Sequence, residues 1–197
     1  MQIDSIASIA HIAVIGAGTM GNGIAQVCAT NGYRVTLIDV NPDALSRAQQ
    51  TIAESVGKLH GKGKLDDAAR DRALHEIVTA TQVDAAADAD LVIEAATENP
   101  ALKKRIFADL DKVARVGVIL ASNTSSISIT DIAAATGRSS LVCGVHFMNP
   151  VPIMQLVEII RGYDTSAETL ATVTALAVKL GKTPVEAADY PGFISNR

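Results

Sequence analysis

Two sets of residues in this sequence have types and spacings that do chemistry. The first is Gly16-Ala17-Gly18-Thr19-Met20-Gly21, a G-x-G-x-x-G pattern directly after the apolar run Ile9–Ile15. Alone the pattern says little; between a buried strand and a helix it gains meaning. Gly16 permits a tight turn, Gly18 lets backbone approach a pyrophosphate, and Gly21 allows helix to pack closely on strand. Phosphate charge then sits against the free N–H groups of a helix start, which Thr19 and Met20 open. Asp39 lies eighteen residues after Gly21, at the end of the run Arg34–Ile38. There it can accept hydrogen bonds from ribose hydroxyls and repel a 2′-phosphate, which favours NAD over NADP. Asn41 and Arg47 stand close enough to soften that preference. The plainer alternative is a tight glycine turn with Asp39 capping a loop. The second set is Ser122-Asn123-Thr124-Ser125-Ser126, then His146-Phe147-Met148-Asn149-Pro150, then Glu158 in the next extended run. Open α/β sheets bind ligands outside the carboxyl ends of their strands, so these residues border one crevice with the nicotinamide end of a dinucleotide. Alcohol oxidation there needs a base for the hydroxyl proton, and histidine suits that task near neutral pH.

The elements that must position these groups alternate short β-rich runs with helical stretches, the pattern of a parallel sheet flanked by helices. Strands are expected at Ile9–Ile15, Arg34–Ile38, Ile77–Ala80, Leu91–Ala95, Val116–Ala121, Leu141–Phe147, Gln155–Ile160 and, as an edge, Val185–Ala188. The first is almost wholly apolar, as a strand buried on both faces should be. Asn41-Pro42 and Asn99-Pro100 each supply an N-cap and a first-turn proline. Gly57–Lys64 predicts a turn between two helices, and Ile129–Ala135 a short helix. Thr165 with Glu168 predicts a capping box for a long helix ending near Gly181. No internal repeat or low-complexity linker is visible.

Composition bounds the class. The chain has 197 residues, 48% apolar and 19% charged, with 3% aromatics and no Trp, so alanine and branched aliphatics must build a globular core. No uncharged apolar run approaches the length of a membrane span, and the start lacks the basic and apolar regions of a secretory signal. These features predict a cytoplasmic protein without a membrane partner. A net charge of −4 gives no general attraction for nucleic acid. Cys28 and Cys143 lie in apolar segments and read as buried hydrophobes, and no His or Cys spacing suits a metal site.

The sequence resembles the 3-hydroxyacyl-CoA dehydrogenase family, particularly its bacterial 3-hydroxybutyryl-CoA members. The resemblance runs through GAGTMGNGIAQVCATNGYRVTLIDV, LVIEAATENPALKKRIFADL, ASNTSSISIT, HFMNPVPIMQLVEII and DYPGFISNR, in order and over essentially the whole chain. It implies a Rossmann-type, mostly parallel α/β sheet over residues 1–189, with a helical excursion at about 42–75. Residues 190–197 would begin the connection to the family's helical C-terminal domain, which forms its dimer interface. The abrupt close at Tyr190–Arg197 fits an interrupted chain. The resemblance further implies NAD-dependent oxidation of an (S)-3-hydroxyacyl-CoA, with His146 as base and Glu158 as its partner. Ser125 would contact substrate and cofactor, and Asn196 would help hold the reacting oxygen. Glu98, Lys103 and Asn149 would contact NAD; Ser55 and Lys62 would contact CoA.

Each role has a plainer rival at the residue level. His146 could be a buried, backbone-satisfied histidine, Glu158 a structural ion pair, Ser125 or Ser126 a helix cap, and Asn196 a turn residue. Ser55 and Lys62 could be solvated surface groups. At the level of the chain, the rivals are a CoA-independent hydroxyacid dehydrogenase and a non-catalytic nucleotide-binding relative.

Overall fold

Continuous runs of buried residues, many of them branched aliphatics, supply the central strands, and asparagine or serine side chains start most of the helices. The computed structural model describes residues 9–195. In chain order the elements are β1 (His11–Ile15), α1 (Thr19–Thr30), β2 (Arg34–Ile38), α2 (Pro42–Gly61), α3 (Asp67–His75), β3 (Ile77–Ala80), β4 (Leu91–Glu94) and α4 (Pro100–Val113). There follow β5 (Ile119–Ser122), α5 (Ile129–Ala133), β6 (Val142–Phe147), β7 (Leu156–Arg161), α6 (Ala167–Lys179) and β8 (Thr183–Ala188). They form one eight-stranded sheet in the order β3-β2-β1-β4-β5-β6-β7-β8. Pairing is parallel except between β6 and β7, which run antiparallel. The first six strands thus have the doubly wound order 3-2-1-4-5-6, whose switch point lies between β1 and β4.

Side-chain alternation sorts the core into two layers. Ile12, Val14, Leu91, Ile93, Val145 and Val157 face the layer that holds α1, α2 and α6. Ala13, Ile15, Val92, Leu120, Val142 and Ile160 face α4 and α5 through Phe107, Leu110, Ile129 and Ile132. Burying one such aliphatic or aromatic side chain contributes about 1.5–3 kcal/mol, so the two layers supply most of the driving force. Both cysteines are buried and free, and burial pushes each thiol up to about 12. Among the described residues, no helix is long and apolar enough to cross a membrane.

Three local expectations need correction. The turn expected over Gly57–Lys64 occupies only the end of that segment: α2 continues to Gly61 and then reverses toward α3. Leu45, Ala48, Ile52 and Val56 make a buried stripe at helical spacing, which outweighs the roughly 1 kcal/mol that a mid-helix glycine costs. The strand expected from Val116 starts at Ile119, because Val116 is fully exposed and Gly117 turns with φ +88°. Thr165 does not cap α6. Its hydroxyl donates to the Val142 carbonyl (2.6 Å) and accepts from Gly162 N–H (2.9 Å), while Ser166 accepts from Thr169 N–H (3.1 Å) as the N-cap.

Candidate active site

The glycine turn leaves β1 at the switch point. Gly16 adopts φ +99°, and a Cβ there would stand 2.7 Å from the Ala95 carbonyl oxygen. A Cβ on Gly21 would meet the Gly16 carbonyl oxygen at 1.7 Å, so this glycine is what lets α1 close on the turn. Gly18 has nothing within 4 Å of that position, and its open side faces a cleft of about 690 Å³. Thr19, Met20 and Asp39 also line the cleft. Asp39 braces the turn as well: its Oδ2 accepts from Ala17 N–H (2.8 Å) and its Oδ1 from Asn41 N–H (2.9 Å). An open backbone cradle at a helix N-terminus, with a carboxylate at the end of β2, fits the phosphates and ribose of NAD.

On the other side of the switch point, the antiparallel register of β6 and β7 sets His146 directly opposite Glu158. Directly opposed residues share a face of the sheet, which brings the two side chains into reach. His146 Nδ1–H donates to Glu158 Oε2 at 2.7 Å. Glu158 is only 1% exposed, whereas His146 keeps 8%, leaving an open edge. Burial pushes the Glu158 carboxyl up, but hydrogen bonds from His146, Ser195 and Ile194 outweigh it and hold the group below the ordinary carboxylate range. The carboxylate is therefore an anion at neutral pH, and it fixes the tautomer that leaves Nε2 as proton acceptor.

The loops after β4 and β5 are joined by a polar network. Glu98 Oε1 accepts from the Thr124 hydroxyl, from Ser125 N–H (2.9 Å) and from the Ser125 hydroxyl (3.2 Å). Burial raises the Glu98 carboxyl; the Thr124 and Ser125 bonds and the Lys103 charge lower it by more, so the net shift is down. Lys103 is 1% exposed and lies 2.7 Å from Glu94 Oε1, donates to the Ala96 carbonyl (3.1 Å) and stands 3.4 Å from Glu98. It thus reaches the lining of the cleft through the Ala96 carbonyl. Glu94 also accepts from the Ser122 hydroxyl (2.6 Å). Paired and hydrogen-bonded, the two buried charges escape the penalty of isolated ones.

Asn149 is exposed just beyond β6, before a cis bond to Pro150. Ser55 is half-buried on α2, and Lys62 is exposed at its C-terminal cap, two turns further on. Asn196 lies outside the described residues. Sequence reasoning missed Glu94 and Ser195, and named Asn123 and Thr124 only within the polar run after β5, without individual roles. Asn123 accepts from Phe147 N–H (2.8 Å) and so ties the β5 loop to the end of β6. A charge closing the apolar run Leu91-Val92-Ile93 was the available signal for Glu94; none existed for Ser195.

The fold and the glycine cradle define a dinucleotide-binding α/β domain, and the opposed His146 and Glu158 add a hydrogen-bonded imidazole–carboxylate pair. The model of the 3-hydroxyacyl-CoA dehydrogenase NAD-binding domain matches residues 11–190. The chain belongs to that family, and NAD is its cofactor. It is 53% identical over 184 residues to the "Probable 3-hydroxybutyryl-CoA dehydrogenase" of Deinococcus radiodurans, covering 93% of this chain and 66% of that protein. The 3-hydroxybutyryl-CoA dehydrogenase of Bradyrhizobium diazoefficiens is 46% identical, covering 97% of this chain and 65% of that one. The crystal structure of the (S)-3-hydroxybutyryl-CoA dehydrogenase of Ralstonia eutropha superposes with a TM-score of 0.93 at 48% identity. That alignment covers 96% of this chain and 67% of the other. The chain thus spans about two thirds of the length of these relatives.

Proposed function

We propose that this chain is the NAD-binding and base-bearing part of an NAD-dependent 3-hydroxyacyl-CoA dehydrogenase. It interconverts (S)-3-hydroxyacyl-CoA plus NAD⁺ with 3-oxoacyl-CoA, NADH and a proton, on short acyl chains such as 3-hydroxybutyryl. The observation that carries this reading is the 2.7 Å hydrogen bond that His146 donates to buried Glu158 across the antiparallel β6–β7 pair. When bound, NAD⁺ supplies the nicotinamide carbon that receives hydride. Gly16, Gly18 and Gly21 shape the cradle for its pyrophosphate, and Asp39 meets its ribose. His146 Nε2 takes the proton from the substrate's 3-hydroxyl, and Glu158 stabilises the imidazolium so formed. Ser125 holds the substrate oxygen, with Asn196 assigned the same task from the sequence. Glu98, through Thr124 and Ser125, keeps that serine in place, with Lys103 behind it and Asn149 beside the cofactor. Ser55 and Lys62 receive the CoA portion, where a lysine can meet phosphate as a point charge. The relatives are named as 3-hydroxybutyryl-CoA and 3-hydroxyadipyl-CoA dehydrogenases, which supports this substrate class. In this reading the whole protein is a cytoplasmic homodimer whose interface lies in the relatives' further length.

An NAD-coupled assay on 3-hydroxyacyl-CoA esters from C4 to C16, beside CoA-free hydroxyacids, tests the proposal. Oxidation of the thioesters alone is expected, with the shortest preferred. His146→Gln should cut kcat by about 10²–10⁴-fold, the usual worth of a general base. NADH affinity should stay unchanged in that variant. Loss of NADH binding instead would make His146 a structural residue and refute its assignment as base.

A further inference from the structure

We propose that Ser195 is a positioning residue that fixes the Glu158 carboxylate against His146; the inference rests on the proton-transfer role assigned to that pair. Among the described residues Glu158 accepts four hydrogen bonds, one of them from the histidine. Its Oε1 takes Ile194 N–H (3.1 Å) and Ser195 N–H (2.8 Å), and its Oε2 takes the Ser195 hydroxyl (2.9 Å) beside His146 Nδ1–H. A carboxylate on a glutamate stem can rotate about its last bond. The backbone amides hold one oxygen, and the Ser195 hydroxyl holds the other in the plane where it faces the imidazole.

The segment that delivers Ser195 is itself tied down. At its start Asp189 accepts from the Ser128 hydroxyl (2.7 Å), from Ile129 N–H (2.9 Å), and from the N–H (2.8 Å) and hydroxyl (2.6 Å) of Thr130. Gly192 and Phe193 then take φ of +80° and +51°, consecutive left-handed conformations that turn the chain back toward β7. A phenylalanine rarely adopts that backbone unless its surroundings demand it. Here its ring is 1% exposed and sets its edge on the His146 ring, with centroids 6.1 Å apart and planes at 60°. One short segment therefore touches both members of the pair, Phe193 on the imidazole and Ser195 on the carboxylate. Ser195 itself is exposed, so its hydroxyl is there for this bond and not for core packing.

The test reads the imidazole directly. In the 197-residue chain with ¹⁵N-labelled histidine, nuclear magnetic resonance should show His146 with hydrogen on Nδ1 and none on Nε2. Ser195→Ala should move the ratio of the two tautomers roughly fivefold toward Nε2–H, the effect of one ordinary hydrogen bond. Ser195→Thr should restore the original ratio, and NADH affinity should not change in either variant. Where acyl-CoA is turned over, kcat should fall about tenfold at constant KM, by analogy with partners that orient metal-bound histidines. An alanine variant with the original tautomer ratio would overturn the proposal. So would a threonine variant that behaves like alanine, or a shift accompanied by lost NADH binding, since either would reflect altered packing. Because the tautomer is read without acyl-CoA, a shifted spectrum supports the role of Ser195 even if no thioester is oxidised. Turnover with an unshifted spectrum would retain the dehydrogenase and reject the serine.

Discussion

An imidazole works as a base in one direction only when its second nitrogen is committed, and Glu158 makes that commitment for His146. The consequence can be tested without removing the histidine. In Glu158→Gln, the side-chain oxygen and nitrogen must together face Nδ1–H, two backbone N–H groups and a hydroxyl. With the amide nitrogen in the Oε1 place a donor meets two backbone donors; in the Oε2 place it is satisfied only if the hydroxyl turns and His146 moves its hydrogen from Nδ1 to Nε2. A buried polar group left unsatisfied costs about 1–3 kcal/mol. We therefore expect a lower Tm by thermal unfolding, together with a loss of kcat greater than that of Ser195→Ala. An unchanged Tm and kcat would mean that the carboxylate is idle. At this scale much of the site was legible: a histidine and a glutamate inside apolar runs are expensive unless used. Ser195 and Thr124 were not legible, because hydroxyls are common in loops and their role comes only from what the folded turn places beside them.

Elements inherit their positions from single residues at their ends. The start of α1 approaches β1 only because Gly21 has no side chain: an added Cβ would stand 1.7 Å from the Gly16 carbonyl oxygen, a backbone atom with little freedom to yield. Gly21→Ala should therefore push α1 away from the turn and destabilise the chain by more than about 2 kcal/mol, as overpacked sites do. It should also weaken NADH binding measured by fluorescence titration. Gly18→Ala is the control, with open space on that side, and should leave Tm nearly unchanged. Equal stability of the two variants would refute the packing role. Most elements could be found from the sequence by alternation, apolar stripes and Asn-Pro starts. The end of α2 could not, since glycine and lysine at 57–64 resemble a turn until the buried stripe from Leu45 to Val56 is set against another layer. The cap of α6 was misplaced for a related reason. Thr165 and Ser166 offer equivalent hydroxyls, and only the fold of β6 gives Thr165 a carbonyl to bind.

For the whole molecule, acid should remove stability in two stages with separate origins. His11 opens β1, at the end of that interior strand opposite the glycine turn, where burial lowers its pKa from the ordinary 6.5, with the Arg34 charge acting in the same direction against the Asp88 carbonyl. The folded chain therefore holds it neutral while the unfolded chain takes a proton. Stability is fully present above pH 6.5 and is lost as pH falls from there through the lower folded-state value. The second stage belongs to the carboxylates. For Glu158 and Asp189, burial raises the pKa, but hydrogen bonds lower it further, to below the ordinary 4.5 and 3.8. Their contribution persists above those values and disappears as pH falls through the folded-state ones. A plot of Tm against pH should thus decline first below about pH 6.5 and again below about pH 4.5. His11→Gln should flatten the first decline, since an uncharged amide cannot take up a proton, and leave the second intact. If the upper decline survives in His11→Gln, another group must titrate there, and the buried histidine would not be its source. Glu158→Gln, with Tm lowered throughout, should weaken the lower decline, whereas His11→Gln should not.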